Sequence, residues 1–427
     1  MMIHLAYGKQ GMDIDIPERN LMKVLTMQGA HPIPDPMAEV VRQLRQPIGS
    51  APLAELAEKA KTACVVICDV TRPVPNTVLL PPILDVLEHH GIQRENITIL
   101  VATGLHRTSR TDELDAMVGP SIRQQYRIVD HHARLLNEQR YLGLTGRKTP
   151  VFIDKCYCDA DLKITTGFIE PHLMAGFSGG RKLVAPGCAG ERTIKALHSP
   201  AFLEDQRCRE GSIDGNPLHH ELLEIARIAG HDFIVNVALD VSHAITGVFS
   251  GDPLAAHERG IEHVRKSVRA TAPAPADIVV TTSAGYPLDL TYYQAVKGIT
   301  AALPVVRKGG VLIIAAECEE GLGSPEFTAM ATRHRSAQAF LDAIFSSPVV
   351  IDQWQLEECA KAAREVEVIL VSPNIAGRHR EELFIGTAAT MDEALERGFR
   401  KFGPDASVAV IPEGPYTLVD IEATPSP

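Results

Sequence analysis

No stretch of the 427-residue sequence is apolar over the roughly 18 to 20 residues that a helix needs to span a bilayer. The first residues, MMIHLAYGKQGMDIDIP, lack the basic region followed by an apolar region that marks a secretory signal. These absences exclude a transmembrane anchor and argue against secretion. Hydrophobic residues at 45% and charged residues at 22% are instead typical of a soluble globular protein.

The sequence also lacks an excess of basic charge and a regular cysteine pattern. Acidic residues outnumber basic ones 53 to 42, and the formal charge of −11 has the wrong sign for binding nucleic acid through the overall field. The 8 cysteines form no C-x-x-C pair and no even framework, which favours a reduced, cytoplasmic location. We therefore expect neither nucleic acid nor a membrane as a partner.

Short runs rich in β-branched residues alternate with stretches of helical spacing. Most of the runs are apolar on both faces, which is typical of parallel strands covered by helices. The sequence therefore predicts an α/β fold made of two α/β domains with mostly parallel sheets. The predicted strands are 64–68, 97–102, 162–167, 233–239, 277–282, 311–316, 366–371 and 407–412. The predicted helices are 78–90, 192–198, 217–229, 253–269 and 336–345.

The clearest change in composition is the Pro- and Ala-rich segment RATAPAPAD at 269–277. We place the domain boundary there. The prediction is an N-terminal α/β domain over residues 1–270 and a C-terminal α/β domain over residues 277–404, with the segment 405–427 returning to either one. The active site is expected in the cleft between the two domains.

Polar residues follow four of the predicted strands. Ligands of open α/β sheets bind beyond the carboxyl ends of the strands, so these segments are candidate binding sites. The segments are DVTRPVPN (69–76), TGLHR (103–107), FIEPHLMAGFSGGRK (168–182) and SAGYPLDLTYYQAVKG (283–298).

Three histidines stand at turns where they would point into a cleft. His106 lies in a Thr-Gly-x-His turn, His172 precedes a glycine-rich run, and His198 comes just before the Pro that stops a helix. Each alone is open to a plainer interpretation, a loop side chain hydrogen-bonded to a backbone carbonyl. Together they supply either a metal site or a division between metal binding and acid/base work.

The glycine-rich stretch at 176–193 has the character of a phosphate cradle. Gly179 and Gly180 expose backbone N–H groups, but no Walker A motif and no G-x-G-x-x-G occurs. Lys182 is open to two interpretations, a covalent attachment point or a phosphate-binding lysine. The positive charges of the stretch are Arg181, Lys182 and Arg192.

Two further pairs complete the set of candidates. In DVTRP, Arg72 suits a carboxylate ligand, and Asp69 suits a ribose hydroxyl or Arg72 itself; an internal salt bridge between them is the alternative. In YYQAVKG, Gln294 and Lys297 are three apart and share one helix face, with Tyr293 nearby.

DVTRPVPN, ATGLHR, GFIEPHLMAGFSGGRKLVAPG, the later HSP and YYQAVKG, in this order, resemble the nickel-dependent lactate racemases over most of the chain. The resemblance implies a two-domain enzyme that carries a nickel-pincer nucleotide, pyridinium-3-thioamide-5-thiocarboxylic acid mononucleotide nickel. It implies that Lys182 is covalently linked to this cofactor and that His198 ligates the nickel. Gly179 and Gly180 would cradle the nucleotide, with Asp69 orienting the cofactor or Arg72.

The same resemblance implies a racemase or epimerase of lactate or another short-chain 2-hydroxy acid. His106 and His172 would be the acid/base groups on opposite faces of the substrate, while hydride passes between C2 and the cofactor. Arg72 and Lys297 would hold the substrate, beside Tyr293 and Gln294. Enzymes that build the cofactor would be partners.

Two other functions remain open from the residues alone. One is a zinc-dependent hydrolase or lyase that uses His106, His172 and His198 as ligands and Glu170 as base. The other is a non-catalytic protein that binds a ligand in the same cleft.

Overall fold

The computed structural model describes residues 1–375 and 377–422, which form an α/β protein. All eight predicted strands and all five predicted helices are confirmed. The strands are β1 (Met2–Leu5), β2 (Met12–Asp15), β3 (Leu21–Val24), β4 (Ala63–Cys68), β5 (Ile97–Ala102), β6 (Arg127–Asp130), β7 (Gln139–Leu144), β8 (Pro150–Asp154), β9 (Leu162–Phe168), β10 (Pro171–His172), β11 (Gly176–Phe177), β12 (Phe233–Leu239), β13 (Ile245–Gly251), β14 (Arg269–Ala272), β15 (Ala276–Thr282), β16 (Val306–Ala315), β17 (Glu367–Val371), β18 (Gly386–Ala388), β19 (Val408–Ile411) and β20 (Leu418–Ile421). The helices are α1 (Pro36–Arg45), α2 (Leu53–Ala57), α3 (Asn76–His89), α4 (Thr111–Val118), α5 (Pro120–Gln125), α6 (Lys155–Asp159), α7 (Glu191–Leu197), α8 (Pro200–Leu203), α9 (Pro217–Ala229), α10 (Ala255–Val268), α11 (Tyr292–Ala302), α12 (Pro325–Arg333), α13 (Ala337–Phe345), α14 (Gln353–Glu365), α15 (Gly377–Glu382) and α16 (Met391–Phe402).

The chain divides into two compact units that differ from the predicted domains. The N-terminal unit holds residues 29–197 and 212–266, and the C-terminal unit holds residues 1–28, 198–211 and the chain from 267 onward. The boundary near 269 agrees with the Pro- and Ala-rich link, but residues 1–28 do not belong with the rest of the predicted domain 1–270. The reason is strand pairing, because β3 lies parallel to β19. β19 in turn pairs with β15, so the segment 405–427 belongs, over its described residues, to the C-terminal unit.

The N-terminal unit is built on a six-stranded sheet in the order β13-β12-β9-β4-β5-β6. Its strands are parallel except for β13, which is antiparallel to β12 at the edge. All six residues of β4 are buried, as expected for a parallel strand covered on both faces. From β4 the chain runs to β5 and β6 on one side and then returns to β9 on the other. β4 and β9 therefore flank the topological switch point, where open α/β sheets bind ligands.

The C-terminal unit has a second six-stranded sheet, in the order β18-β17-β16-β15-β19-β3. All of its pairings are parallel. Helices α11 and α14 pack together on one face of this sheet, and the hydroxyl of Tyr292 lies 3.0 Å from the sulfur of Cys359 between them. Helix α11 is thereby fixed at the carboxyl end of β15, as its position after that strand predicted.

Among the described residues, no helix combines the length and the apolar character required to cross a membrane. All eight cysteines lie in the described part of the chain and are free thiols, six of them buried. They act as small apolar side chains in the two cores.

Candidate active site

Three adjacent strands bring three of the predicted motifs to one edge of the N-terminal sheet. Cys68 at the end of β4 pairs with Ala102 at the end of β5, and β9 runs parallel to β4 on its other side. Their carboxyl ends therefore lead into the segments that begin at Asp69, Thr103 and Ile169. This arrangement agrees with the expectation from the sequence that residues after successive strands share one region of the sheet.

Asp69 is paired with His106. The carboxylate oxygen Oδ2 lies 2.6 Å from Nδ1 of His106, and Oδ1 accepts hydrogen bonds from the backbone and the hydroxyl of Thr71. Burial acts to raise the pKa of Asp69, but hydrogen bonds from His106 and Thr71 and the charge of Arg72 outweigh it, so the pKa lies below its usual value. The carboxylate is ionised and only accepts hydrogen bonds, so His106 must donate Nδ1–H and present Nε2 as a base.

The pairing differs from the salt bridge with Arg72 that the sequence suggested for Asp69. Arg72 is half-buried, and its guanidinium donates to the carbonyl and the hydroxyl oxygen of Thr71 rather than to Asp69. Asp69 therefore orients the imidazole of His106, in the manner of the carboxylate of a catalytic Asp–His pair. Its predicted contact with a cofactor stays a prediction.

Gly179 and Gly180 occupy positions that require glycine. Their φ angles are +77° and +51°, and a Cβ on Gly179 would lie 2.8 Å from Oδ1 of Asn236 and 3.0 Å from the carbonyl oxygen of Phe168. The same Oδ1 of Asn236 accepts a 2.7 Å hydrogen bond from the Gly180 amide. The backbone of the loop therefore packs directly against β9 and β12, with no room for a Cβ atom on Gly179.

Arg181 points into the protein, which corrects its assignment to a phosphate cradle. It is 1% exposed, and its guanidinium donates to the carbonyl oxygens of Ala175 and Phe177 at 2.8 and 2.9 Å. Burial lowers the pKa of Arg181 to about 9. Arg192 is exposed and lies over the ring of Phe152. Lys182, the third predicted charge, comes after Arg181 and is half-buried.

Lys182 lies in a short 3-10 helix, Gly180–Leu183, and is half-buried. Its charge and that of Arg72 act on the thiol of Cys68, although burial dominates and raises the pKa of Cys68 to about 12. Lys182 and Arg72 therefore lie near the same strand end as Asp69. The carboxylates of Asp69 and Glu170 act on the same thiol in the opposite sense, so two positive and two negative side chains lie near this strand end.

His172 lies on the other side of the switch point. It ends β10, which pairs with β11 in a tight antiparallel turn, and it is half-buried. Its ring nitrogen Nδ1 accepts hydrogen bonds from the backbone amides of Met174 and Ala175, both at 3.2 Å. The predicted pair of histidines therefore sits on segments that follow β5 and β9, the two strands on either side of β4.

His198 belongs to the C-terminal unit, whereas the sequence placed it with the other histidines. It follows the last residue of α7, and its ring stacks on Trp354 with 4.6 Å between centroids. The indole Nε1 of Trp354 in turn donates to the hydroxyl of Tyr293 at 3.3 Å. Trp354 therefore links a predicted metal ligand to a predicted substrate-binding residue.

The residues of α11 that the sequence predicts to bind substrate lie on one helix face, and their role in binding stays a prediction. Tyr293, Gln294 and Lys297 are half-buried, whereas Ala295 and Val296 are fully buried. The side-chain oxygen Oε1 of Gln294 is buried and has no hydrogen-bond partner. An orphaned acceptor of this kind is satisfied by a ligand or water.

The adjacent acids Glu357 and Glu358 predict an exposed helix face, but helix α14 buries both of them. Glu357 is 0% exposed, and neither of its carboxylate oxygens has a partner. Burial, with smaller contributions from Glu358 and Glu204, raises the pKa of Glu357 from 4.5 to about 8. The side chain is therefore neutral in the folded protein at neutral pH.

We expect the free energy of unfolding to fall as the pH rises from about 4.5 to about 8. In this range the folded chain retains the Glu357 proton that the unfolded chain has released. Glu357→Gln should flatten this dependence in urea unfolding at several pH values, because the amide cannot ionise. The exposed Glu396 provides the control, and equal pH dependence in Glu357→Gln and Glu396→Gln would contradict the assignment.

The structure also reveals positioning residues that sequence reasoning missed. Asn216 and Asn236 are both 0% exposed, and each holds a backbone segment of the glycine-rich region. Isolated asparagines carry no motif. The one available signal was Asn216 before Pro217, the usual start of a helix.

Within residues 1–375 and 377–422, no three side chains of the His, Cys, Asp and Glu types form a group that could hold a metal ion. His106 and His172 use Nδ1 for Asp69 and for backbone amides. The structure therefore does not bring His106, His172 and His198 together as three ligands of one ion.

Comparison with known proteins identifies the family. Residues 7–211 match the model of the lactate racemase N-terminal domain, and residues 271–419 match that of the lactate racemase C-terminal domain. The chain is 34% identical to the lactate racemase of Thermoanaerobacterium thermosaccharolyticum and 36% identical to that of Lactiplantibacillus plantarum. Both alignments extend over 422 residues, 98% of this chain and 99% of each relative.

Comparison with solved structures supports the same family. The lactate racemase apoprotein from T. thermosaccharolyticum superposes with a TM-score of 0.92 at 34% identity, over 98% of this chain and 100% of that one. A protein from Thermotoga maritima shares the fold, with a TM-score of 0.67 at 18% identity over 91% of this chain and 99% of that one. The chain is an isomerase and belongs to the lactate racemase family.

Proposed function

We propose that the protein racemises lactate, or another short-chain 2-hydroxy acid, with a nickel-pincer nucleotide attached to Lys182. The observation that carries the proposal is the Asp69–His106 pair, which lies at the same strand end as Arg72 and Lys182. At this strand end, His106 would serve as a base, Arg72 as the cation that binds the carboxylate and Lys182 as the attachment amine. Relatives that are 34% and 36% identical are named lactate racemases.

The residues of the N-terminal unit fit a covalently bound nucleotide. Gly179 and Gly180 form the turn that leads to Lys182, and they must be glycine because Asn236, Phe168 and His257 fill the space where their Cβ atoms would lie. Lys182 lies two residues after Gly180 and is half-buried, whereas Arg181 between them is buried. His198 is proposed as the nickel ligand, with its ring oriented by Trp354.

When bound, the cofactor would supply an electrophilic carbon that takes up a hydride from C2 of the substrate and returns it. Residues of the chain bind the substrate and transfer its hydroxyl proton. Arg72 and Lys297 hold the carboxylate, beside Tyr293 and the unpartnered oxygen of Gln294. His106 takes the hydroxyl proton on Nε2, and Asp69 stabilises the resulting imidazolium. After the flat 2-oxo acid has turned over, protonated His172 gives its Nε2 proton to the same oxygen and becomes neutral.

The experiment compares protein made with and without the enzymes that build the cofactor. We expect the first preparation to carry a mass increment on Lys182 and about one nickel per chain, and to interconvert D- and L-lactate in a chiral assay. The second should be unmodified and inactive. The same chiral assay on a panel of 2-hydroxy acids then ranks them by their rates of racemisation. Full activity with zinc and an unmodified Lys182 would overturn the proposal in favour of metal-dependent hydrolase or lyase chemistry.

A further inference from the structure

The two candidate acid/base histidines are held by opposite hydrogen-bond partners. His172 receives two backbone N–H groups on Nδ1, from Met174 and Ala175. A nitrogen that accepts two donors carries no proton, so the ring proton of neutral His172 resides on Nε2. His106 has the reverse arrangement, because its Nδ1 faces the ionised carboxylate of Asp69 and must be the donor.

The amides that contact His172 are themselves fixed by buried side chains. The carbonyl of Met174 accepts a 2.9 Å hydrogen bond from Nδ2 of Asn216, and this carbonyl shares a peptide group with the amide of Ala175. The carbonyl of Ala175 accepts a 2.8 Å bond from Arg181. Asn216 and Arg181 are 0% and 1% exposed, so neither exchanges these contacts for water. Hydrogen bonds in such a chain polarise one another, which strengthens the donors that face His172.

Asn216 is fixed on its other side by helix α9. Its Oδ1 accepts from the amides of Leu218 and His219 at the start of this 13-residue helix, so the side chain cannot rotate without losing the cap. The amide NH₂ is thereby directed at the His172 turn. One buried asparagine connects a rigid helix to the ring orientation of a candidate catalytic histidine.

We propose that His172 rests as the Nε2–H tautomer and meets the substrate oxygen as a hydrogen-bond donor, opposite to His106, and that Asn216 is the positioning residue that maintains this state. The assignment of the tautomer rests on hydrogen bonds alone. Its catalytic meaning rests on the proposed racemase function.

The consequence is that the two histidines are not equivalent in the resting enzyme. When the substrate hydroxyl faces His106, its O–H bond breaks, the electron pair stays on oxygen and the proton binds the lone pair of Nε2. When the hydroxyl faces His172, the resting ring presents N–H and has no lone pair to offer. To take a proton on Nε2, or to give one to the product oxygen without becoming an imidazolate, His172 must carry a proton on Nδ1, and it must first give up both amide hydrogen bonds.

Nitrogen-15 NMR of histidine-labelled protein tests the assignment without cofactor or substrate. Correlations from the ring carbon-bound protons distinguish a protonated from an unprotonated ring nitrogen, and His106→Gln and His172→Gln assign the two rings. Above neutral pH we expect His172 to show Nε2–H and His106 to show Nδ1–H. Buried His257, which donates Nε2–H to the carbonyl of Ser178, provides an internal reference for the first tautomer. An Nδ1–H signal from His172 would overturn the proposal.

The role of Asn216 has its own readout. Asn216→Asp keeps an oxygen for the cap of α9 but removes the NH₂ donor from the Met174 carbonyl. We expect the His172 signals to shift toward a mixture of tautomers while those of His257 stay unchanged. Unchanged His172 signals would show that Asn216 does not position the ring. If the variant does not fold, the wild-type spectrum still decides the tautomer.

The two proposals fail separately. Absence of lactate racemisation by loaded protein, with the predicted tautomers present, would contradict the function alone. Racemisation with His172 in the Nδ1–H form would contradict the tautomer assignment alone.

Discussion

Lys182→Ala is expected to abolish racemisation, with a loss of about a thousandfold or more, because the covalent attachment point of the cofactor disappears. The fold of the loop should survive. Its shape depends on Asn236, on Arg181 and on the backbone, including the Lys182 amide that donates to Gly179 and the Lys182 carbonyl that accepts from Gly187. We expect the variant to lose the mass increment, the nickel and the activity. Intact mass, nickel content and a chiral lactate assay measure these three losses.

Two companion variants sharpen this test. Lys182→Arg keeps the positive charge and removes the reactive amine, so it should be as inactive as the alanine variant if the covalent link matters. Lys195→Ala removes a lysine of α7 that pairs with Glu191 at 2.6 Å, and it should retain the mass increment and the activity. A normal mass increment and substantial activity in Lys182→Arg would exclude attachment at this residue.

The region of the candidate site was predictable because it follows from sheet geometry. Buried runs such as 64–68 and 97–102 identify parallel strands, and the carboxyl ends of parallel neighbours meet at one edge. Any polar motif that directly follows such a strand is therefore near the others. This reasoning placed Asp69, His106 and His172 on neighbouring segments without knowledge of the side-chain contacts.

The partners of individual side chains were not predictable, since they depend on the backbone angles of the turns. Asp69 and Arg72 are three residues apart and seemed natural partners, yet the turn directs Asp69 to His106. Arg181 stands beside Lys182 in the sequence, but adjacent residues of a 3-10 turn point in different directions, and one is buried while the other reaches the surface.

The assignment of segments to units failed for a different reason. Residues 1–28 join the C-terminal unit through β3 and β19, which are far apart along the chain. The short strand β3 has a half-buried and weakly patterned sequence, LMKV, which gives no sign of a distant parallel partner. Pairings of this kind appear only when the whole sheet is assembled.

The Asp69–His106 pair gives the second large prediction. His106→Gln should lower kcat by about 10² to 10⁴, the usual contribution of a general base. Asp69→Asn should have an effect of similar size, because an amide in place of the carboxylate accepts less strongly, can favour the other tautomer of His106 and no longer stabilises its imidazolium. The two groups act as one unit, so the double variant should be about as slow as His106→Gln alone.

The cofactor content of Asp69→Asn decides between its two possible roles. If Asp69 orients His106, the variant retains the Lys182 mass increment and the nickel while losing turnover; if it binds the cofactor, both are lost together. Thr71→Val is the control for kcat, since it removes one hydroxyl donor to the same carboxylate and leaves the contact with His106 intact; it also removes an acceptor of Arg72, an effect expected in KM. The kcat of this variant should fall by no more than about tenfold, because one hydrogen bond contributes about 1 kcal/mol. Multiplicative losses in the double variant, or loss of nickel in Asp69→Asn, would contradict a catalytic pair.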